Sequence, residues 1–304
     1  MALNKNLKVY SGSSNNILAK KISDFLNVKL GQVELSRFAN NECRVWIKDK
    51  EKISKAVIVQ SFSYPPDEHL IEFLFMVDAL KRKGAKKIIA VIPWFGYCIQ
   101  DKVFRPGEPL SSKVMARLLQ SVKVSHTITL DLHNETISGF FDMPFTHLKA
   151  RDVFIDYFKN KKIVDTIVSP DVGALKNATV FAQNMNLPLV IINKARNLAT
   201  GKVSIVGVSG EIKGKSVLIP DDFISTGGTL VQTAKFLKDR GVKKVYAALT
   251  HHFYVPGVQE KIEKSSLDML YVTDTIKKPV VKKYKKLTII SVANLLAKAI
   301  NKNK

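Results

Sequence analysis

The chain of 304 residues is poor in cysteine and in tryptophan, with two of each. Two isolated cysteines, Cys43 and Cys98, make neither a disulfide framework nor the ligand spacing of a zinc site, so both are expected to be reduced packing residues. Long apolar runs are also missing. No stretch approaches the roughly 18 residues of a membrane span, and the opening MALNKNLKVY has no apolar signal region. These absences predict a soluble cytoplasmic protein with no membrane partner. Acidic residues are scarce, 26 against 48 Lys and Arg, which leaves a net charge of +22. Such a field suits phosphate-rich ligands or nucleic acid. The lysines are scattered, however, and the densest group, Lys282-Lys283-Tyr284-Lys285-Lys286, lies between apparent strands without a nucleic-acid motif. A solvated face accounts for it, and no nucleic-acid partner is expected.

What is present is a hydrophobic fraction of 46% and enough chain for two domains, each with its own core. Short apolar runs alternate with helical patterns. Strands are predicted at Leu7–Tyr10, Val57–Val59, Ile88–Ile92, Thr166–Val168, Leu187–Ile192 and Val217–Ile219, and helices at Ile17–Leu26, Asp67–Arg82, Ser111–Leu119 and Ala150–Lys159. This is α/β patterning with mainly parallel sheets. The polar stretch Ser36 to Val45 reads as a hairpin turn. An internal echo supports duplication: Lys81-Arg82-Lys83-Gly84-Ala85-Lys86-Lys87-Ile88 matches Lys238-Asp239-Arg240-Gly241-Val242-Lys243-Lys244-Val245 as helix end, glycine stop, lysine pair and strand. Residues 1–148 and 149–304 are read as two domains, with the last helix, Val292–Ile300, available to pack on the first.

The chemistry concentrates in Ser216 to Arg240. Asp221 and Asp222 end the apolar run, Ser225-Thr226-Gly227-Gly228-Thr229 follows, and Leu230, Ala234 and Leu237 mark one face of a helix. Two glycines let backbone N–H groups converge, the hydroxyls add donors, and the helix start adds partial positive charge. That is a cradle for phosphate. Carboxylates are unsuited to phosphate and suit sugar hydroxyls or a divalent cation. The alternative is an ordinary turn in which Thr229 caps the helix and the aspartates face water. A second unusual segment, Trp94 to Pro109, mixes aromatics with charges over a long irregular connection; its rings are of a kind to sandwich a base while Gln100 and the cations reach polyphosphate. His133 closes a strand predicted at His126–Leu132, Asp171 sits in a turn where a metal ligand or ribose contact would sit, and Lys194 and Arg196 open a loop fit to close on a phosphoryl group.

The segments RFANNECRVWI, VIPWFGYCIQDKVFRPGEP, TLDLHNETISGFFDMP, VSPDVGALKNA and LIPDDFISTGGTL occur in the order found in the ribose-phosphate pyrophosphokinase family, which the chain resembles over nearly its whole length. The resemblance implies two duplicated type I phosphoribosyltransferase-like domains and transfer of pyrophosphate from MgATP to ribose 5-phosphate. It assigns Ser225, Thr226, Gly227, Gly228 and Thr229 to the 5-phosphate and Asp221 and Asp222 to the ribose. Phe38, Asn40, Glu42, Gln100 and Asp101 fall to ATP, His133 and Asp171 to Mg2+, and Lys194 and Arg196 to the transition state. It also implies a homo-oligomer built on dimers, up to a hexamer, whose ATP site a neighbouring subunit completes. Asn40, Ile99, Lys102, Ala195 and Ser225 depart from the common pattern of that family, and Ile99 replaces a cation that an aliphatic chain cannot imitate. An inactive regulatory homologue and a phosphoribosyltransferase are the alternatives.

Overall fold

The computed structural model describes residues 7–196, 203–279 and 283–303. The chain divides into two compact units, Met1–Ala150 with Asp274–Lys277 and Ser291–Lys304, and Arg151–Thr273 with Lys278–Ile290.

The first unit is organised on a sheet of five parallel strands in the order β1 (Leu7–Ser11), β4 (Lys55–Val59), β5 (Lys87–Ile92), β6 (His126–Leu130) and β7 (Phe145–Leu148). Ala56 to Val59 and Ile88 to Ile92 are continuously buried, as strands covered on both faces require. Helices α1 (Asn16–Leu26), α2 (Pro66–Arg82) and α3 (Ser111–Ser121) connect them. Leu18, Ile22 and Leu26 give α1 its buried stripe, and Asn15 caps it by accepting from the Leu18 N–H at 3.1 Å. The C-terminal helix α8 (Ala293–Lys302) packs against α1 in this unit. An antiparallel hairpin, β2 (Val33–Arg37) and β3 (Cys43–Ile47), stands apart from the main sheet.

The second unit follows the same order. Strands β8 (Thr166–Ser169), β11 (Ser216–Ile224), β12 (Lys244–His252), β13 (Met269–Thr273) and β14 (Leu287–Ile290) form a parallel run. The hairpin of this unit, β9 (Leu189–Arg196) with β10 (Val203–Val208), joins the sheet beside β8 and makes it seven-stranded. Helices α4 (Arg151–Lys161), α5 (Leu175–Met185), α6 (Gly228–Asp239) and α7 (Val258–Lys264) complete it. The sequence echo is matched in three dimensions. Gly84 (φ 99°) ends α2 and Gly241 (φ 81°) follows α6, conformations that only glycine adopts cheaply. Each is followed by a strand entering in equivalent register, Lys87 opposite Lys55 and Lys244 opposite Ser216.

Candidate active site

β11 runs further than its apolar core. The Ser216 carbonyl accepts from Asp165 N–H at 2.8 Å on the β8 side, and because directions alternate along a strand, Pro220 faces that side too. By then β8 has stopped pairing, at Leu218 opposite Ile167, so the proline's missing N–H costs no ladder bond. The β12 side continues to Ile224 opposite His252. Asp221 and Asp222 therefore belong to the extended end of β11. Asp221 is exposed, with Oδ1 accepting from the Asp222 N–H at 2.8 Å.

Ser225, Thr226, Gly227, Gly228 and Thr229 turn the chain into α6 and line a cavity of about 270 Å³ together with Asp171, Asp221 and Phe223. Asp222 is not among its lining residues. Gly227, at φ 69°, is the N-cap of α6, and no side chain caps this helix; Thr229 lies within its first turn instead. Val231 is the residue whose N–H bonds back to the Gly227 carbonyl, at 3.0 Å, so the preceding N–H groups have no intrahelical partner. They and the macrodipole favour an anion in the cavity. A Cβ on Gly228 would meet no atom within 4 Å, whereas one on Gly227 would touch Ile224 and Val258 at 3.4 Å. Asp171 is fixed in the turn after β8: its Oδ1 accepts from Ala174 N–H at 3.0 Å, and its carbonyl accepts from the Ser169 hydroxyl at 2.7 Å.

In the first unit, Phe38 and Glu42 line a cavity of about 620 Å³ with Arg37, Glu68, Ile71 and Phe75. Phe38 is 53% exposed, and the Arg44 guanidinium lies 5.7 Å from its ring centre, within range of a cation–π contact with one face of the ring. Asn40 closes the hairpin, its side-chain oxygen accepting from Glu42 N–H at 3.2 Å. Gln100 and Asp101 lie in the loop after β5. Gln100 pairs with the Ser111 hydroxyl at the start of α3, and Asp101 accepts from the Asn134 amide at 2.8 Å, which ties this loop to the end of β6. His133 is exposed in that same corner. The corner is pinned on both sides: Leu132 N–H donates to His147 Nε2 at 2.9 Å, and Asp131 (φ 35°) accepts from Ala150 N–H at 3.0 Å.

The aromatics of the Trp94 to Pro109 segment do not all serve as expected. Trp94 and Phe95 are buried, and Phe95 meets Phe141 edge-to-face at 5.7 Å, so both rings belong to the core and offer no face to a base. Tyr97 bonds to Asp67, and Phe104 is 74% exposed. Ile99 is exposed as well. Lys194 and Arg196 end β9, but their side chains, like all of residues 197–202, lie outside the described residues. Among the described residues no group of three or more His, Cys, Asp or Glu is arranged to hold a metal ion.

Sequence reasoning missed the support behind the cradle. Val258 and Ile262 of α7 lie beneath Gly227, and Lys261 Nζ donates to the Thr226 carbonyl at 2.9 Å. Next to them His252 is buried, accepting at Nδ1 from Tyr254 N–H at 2.8 Å and lying 3.1 Å from Gln259 Oε1 through Nε2. Burial pushes its imidazole down to about 4, so at neutral pH it is uncharged and carries its proton on Nε2. The only local signal was the Pro256-Gly257 turn that opens α7.

Comparison with known proteins meets this geometry at both ends of the chain. A family model described as the N-terminal domain of ribose phosphate pyrophosphokinase matches residues 7–122, and one described as the phosphoribosyl synthetase-associated domain matches residues 195–304. The ribose-phosphate pyrophosphokinase of Bacillus subtilis is 40% identical over 97% of this chain and 93% of its own length. That of Fusobacterium nucleatum is 39% identical over 98% and 95%. The crystal structure of phosphoribosylpyrophosphate synthetase from Mycobacterium smegmatis superposes with a TM-score of 0.89 at 32% identity, covering 99% of this chain and 100% of that one. With a duplicated parallel-sheet fold and full-length similarity of this order, the chain belongs to the ribose-phosphate pyrophosphokinase family.

Proposed function

We infer that the chain transfers the β,γ-pyrophosphoryl group of MgATP to the 1-hydroxyl of ribose 5-phosphate, giving 5-phosphoribosyl 1-pyrophosphate and AMP for nucleotide biosynthesis in the cytoplasm. The observation that carries this reading is the cavity shared by the uncapped start of α6, the hydroxyls of Ser225, Thr226 and Thr229, and the carboxylates Asp171 and Asp221. One end is built for a phosphate and the other for hydroxyls or a cation, which is the polarity of a sugar phosphate.

The 5-phosphate is assigned to Ser225 through Thr229, and the ribose hydroxyls to Asp221 and Asp222. Phe38, Asn40, Glu42, Gln100 and Asp101 are assigned to ATP, with Phe38 offering an exposed ring to the base. His133 and Asp171 are assigned to magnesium. Of the two, Asp171 supplies the hard oxygen donor that Mg2+ prefers, and the nitrogen of His133 is the weaker match; the ion retains waters and binds through one or two carboxylates plus substrate phosphates, so it needs no dedicated protein cage. When bound it would neutralise charge on the polyphosphate. The 1-hydroxyl oxygen attacks the β-phosphorus in line, the bond to the oxygen bridging the α- and β-phosphorus atoms breaks, and AMP leaves. Such a transfer depends on positioning and charge stabilisation, with no covalent protein intermediate. Lys194 and Arg196 supply cations for the developing charge. A homo-oligomer built on dimers, up to a hexamer, is part of the same reading.

The test is AMP release from MgATP in the presence and absence of ribose 5-phosphate, for the wild type and Lys194→Ala. Release that depends on the sugar phosphate and is lost in the variant supports the reading. Absence of turnover by the wild type would leave a regulatory homologue in its place, and consumption of phosphoribosyl pyrophosphate with a free base would instead mark a phosphoribosyltransferase.

A further inference from the structure

α7 is a short helix on the far side of the phosphate loop, and nothing in the reaction itself requires it. Three contacts nevertheless hold it in place, two of them on the loop. A Cβ on Gly227 would touch Val258 at 3.4 Å and Ile262 at 3.7 Å, so the backbone at Gly227 rests directly on the apolar side of α7. Gln259, buried on the same helix, lies 3.1 Å from the His252 ring at the end of β12, which fixes α7 to the strand neighbouring β11. Lys261, an exposed residue, spends its ammonium on the carbonyl of Thr226 at 2.9 Å, across 35 positions of sequence.

The third contact has a stereochemical consequence. A trans peptide is planar, with its C=O and N–H pointing in opposite directions. Holding the Thr226 carbonyl toward Lys261 aims the N–H of Gly227 away from α7, and Gly227 is a lining residue of the phosphate cavity. If that peptide were turned over, a carbonyl oxygen would take the place of a donor and face the phosphate with partial negative charge. Gly227, at φ 69°, has no Cβ to hinder such a turn. The apolar contacts with Val258 and Ile262 do not select between the two orientations; a cation at the carbonyl does.

We propose that Lys261 is a positioning residue for the acceptor substrate: by binding the Thr226 carbonyl it orients the Thr226–Gly227 peptide so that the loop presents N–H donors to the 5-phosphate. The proposal rests on the assignment of Ser225–Thr229 to the phosphate of ribose 5-phosphate. It concerns ground-state binding of one substrate, so its signature is selective. Removing the ammonium raises KM for ribose 5-phosphate and leaves KM for ATP in place, and an arginine, which can reach the same carbonyl with a cation, restores binding.

Steady-state kinetics of the full chain with Lys261→Met and Lys261→Arg provide the test, each substrate being varied at saturating levels of the other. The expected result for Lys261→Met is an increase of about tenfold in KM for ribose 5-phosphate, the worth of one charged hydrogen bond, with KM for ATP and the melting temperature unchanged. Lys261→Arg should fall within about twofold of wild type. Equal KM values in wild type and Lys261→Met, or a loss shared equally by both substrates, would overturn the proposal. A wild type that turns over without dependence on ribose 5-phosphate is a different result: it removes the underlying assignment of the loop.

Discussion

Adjacent glycines in the loop that opens α6 are expected to respond in opposite ways to the same added methyl group. Gly227 has φ 69°, and a Cβ there would lie 3.4 Å from both Ile224 and Val258. An L-residue in the left-handed region costs about 1–2 kcal/mol, and the two contacts are at ordinary van der Waals distance and add nothing to that strain, so Gly227→Ala should lose about that much stability. Gly228 is the first helical residue of α6, and a Cβ there meets nothing within 4 Å. Replacing glycine by alanine where the backbone already suits it gains about 0.4–1 kcal/mol, chiefly by restricting the unfolded chain. The same methyl group, however, stands at a cavity-lining position where the proposed 5-phosphate site requires close approach to the backbone. Gly228→Ala should therefore melt at or above the wild-type temperature while its KM for ribose 5-phosphate rises about tenfold, the loss of one hydrogen bond to a charged group. Urea unfolding at fixed pH and initial-rate kinetics provide the two readings. A Gly228→Ala variant that is destabilised, or one that binds the sugar phosphate as the wild type does, would refute the assignment of this open space to the ligand.

Three further outcomes are expected. His252 is held near 4 by burial against an ordinary 6.5, so as pH falls below 6.5 the unfolded chain takes up a proton that the folded chain refuses; stability is lost between pH 6.5 and 4, by up to about 3 kcal/mol, and urea midpoints of His252→Gln should change less across that window than those of the wild type. Asp49 is buried and accepts from the Tyr10 hydroxyl at 2.7 Å and Gln32 N–H at 2.9 Å while pairing with Lys8; Asp49→Ala should cost about 1–3 kcal/mol in chemical unfolding, and an unchanged midpoint would show that the network carries no net stability. Phe38→Ala should raise KM for ATP several-fold without affecting KM for ribose 5-phosphate, and identical nucleotide kinetics would remove Phe38 from the ATP site.

The fold was largely legible because parallel strands covered on both faces must be continuously apolar, and Val57–Val59, Ile88–Ile92 and Val217–Ile219 are. The glycine stops at Gly84 and Gly241 were legible for a similar reason: few other residues accept their φ values. Elsewhere local signals pointed the wrong way or were silent. The apolar run predicts a strand at Val217–Ile219 only, yet β11 continues to Ile224 because its β12 side goes on pairing after the β8 side has stopped. Trp94 and Phe95 look in sequence like rings available to a base, but which face of a segment turns inward is decided by partners such as Phe62 and Phe141, distant in sequence. Lys261 carried no signal at all. α7 has seven residues and too few turns to show a stripe, and the carbonyl it serves lies on another element. Motifs locate the groups that touch a ligand; the groups that hold those motifs in shape are joined to them only by folding.

Pyrophosphoryl transfer and simple phosphoryl transfer differ in which bond of ATP is broken. Incubation with MgATP and ribose 5-phosphate, followed by phosphorus NMR and chromatography of the nucleotides, should give AMP and a new pyrophosphate ester at the sugar's first carbon in equal amounts, with no ADP. Formation of ADP and a ribose bisphosphate, or no product that depends on ribose 5-phosphate, would contradict it.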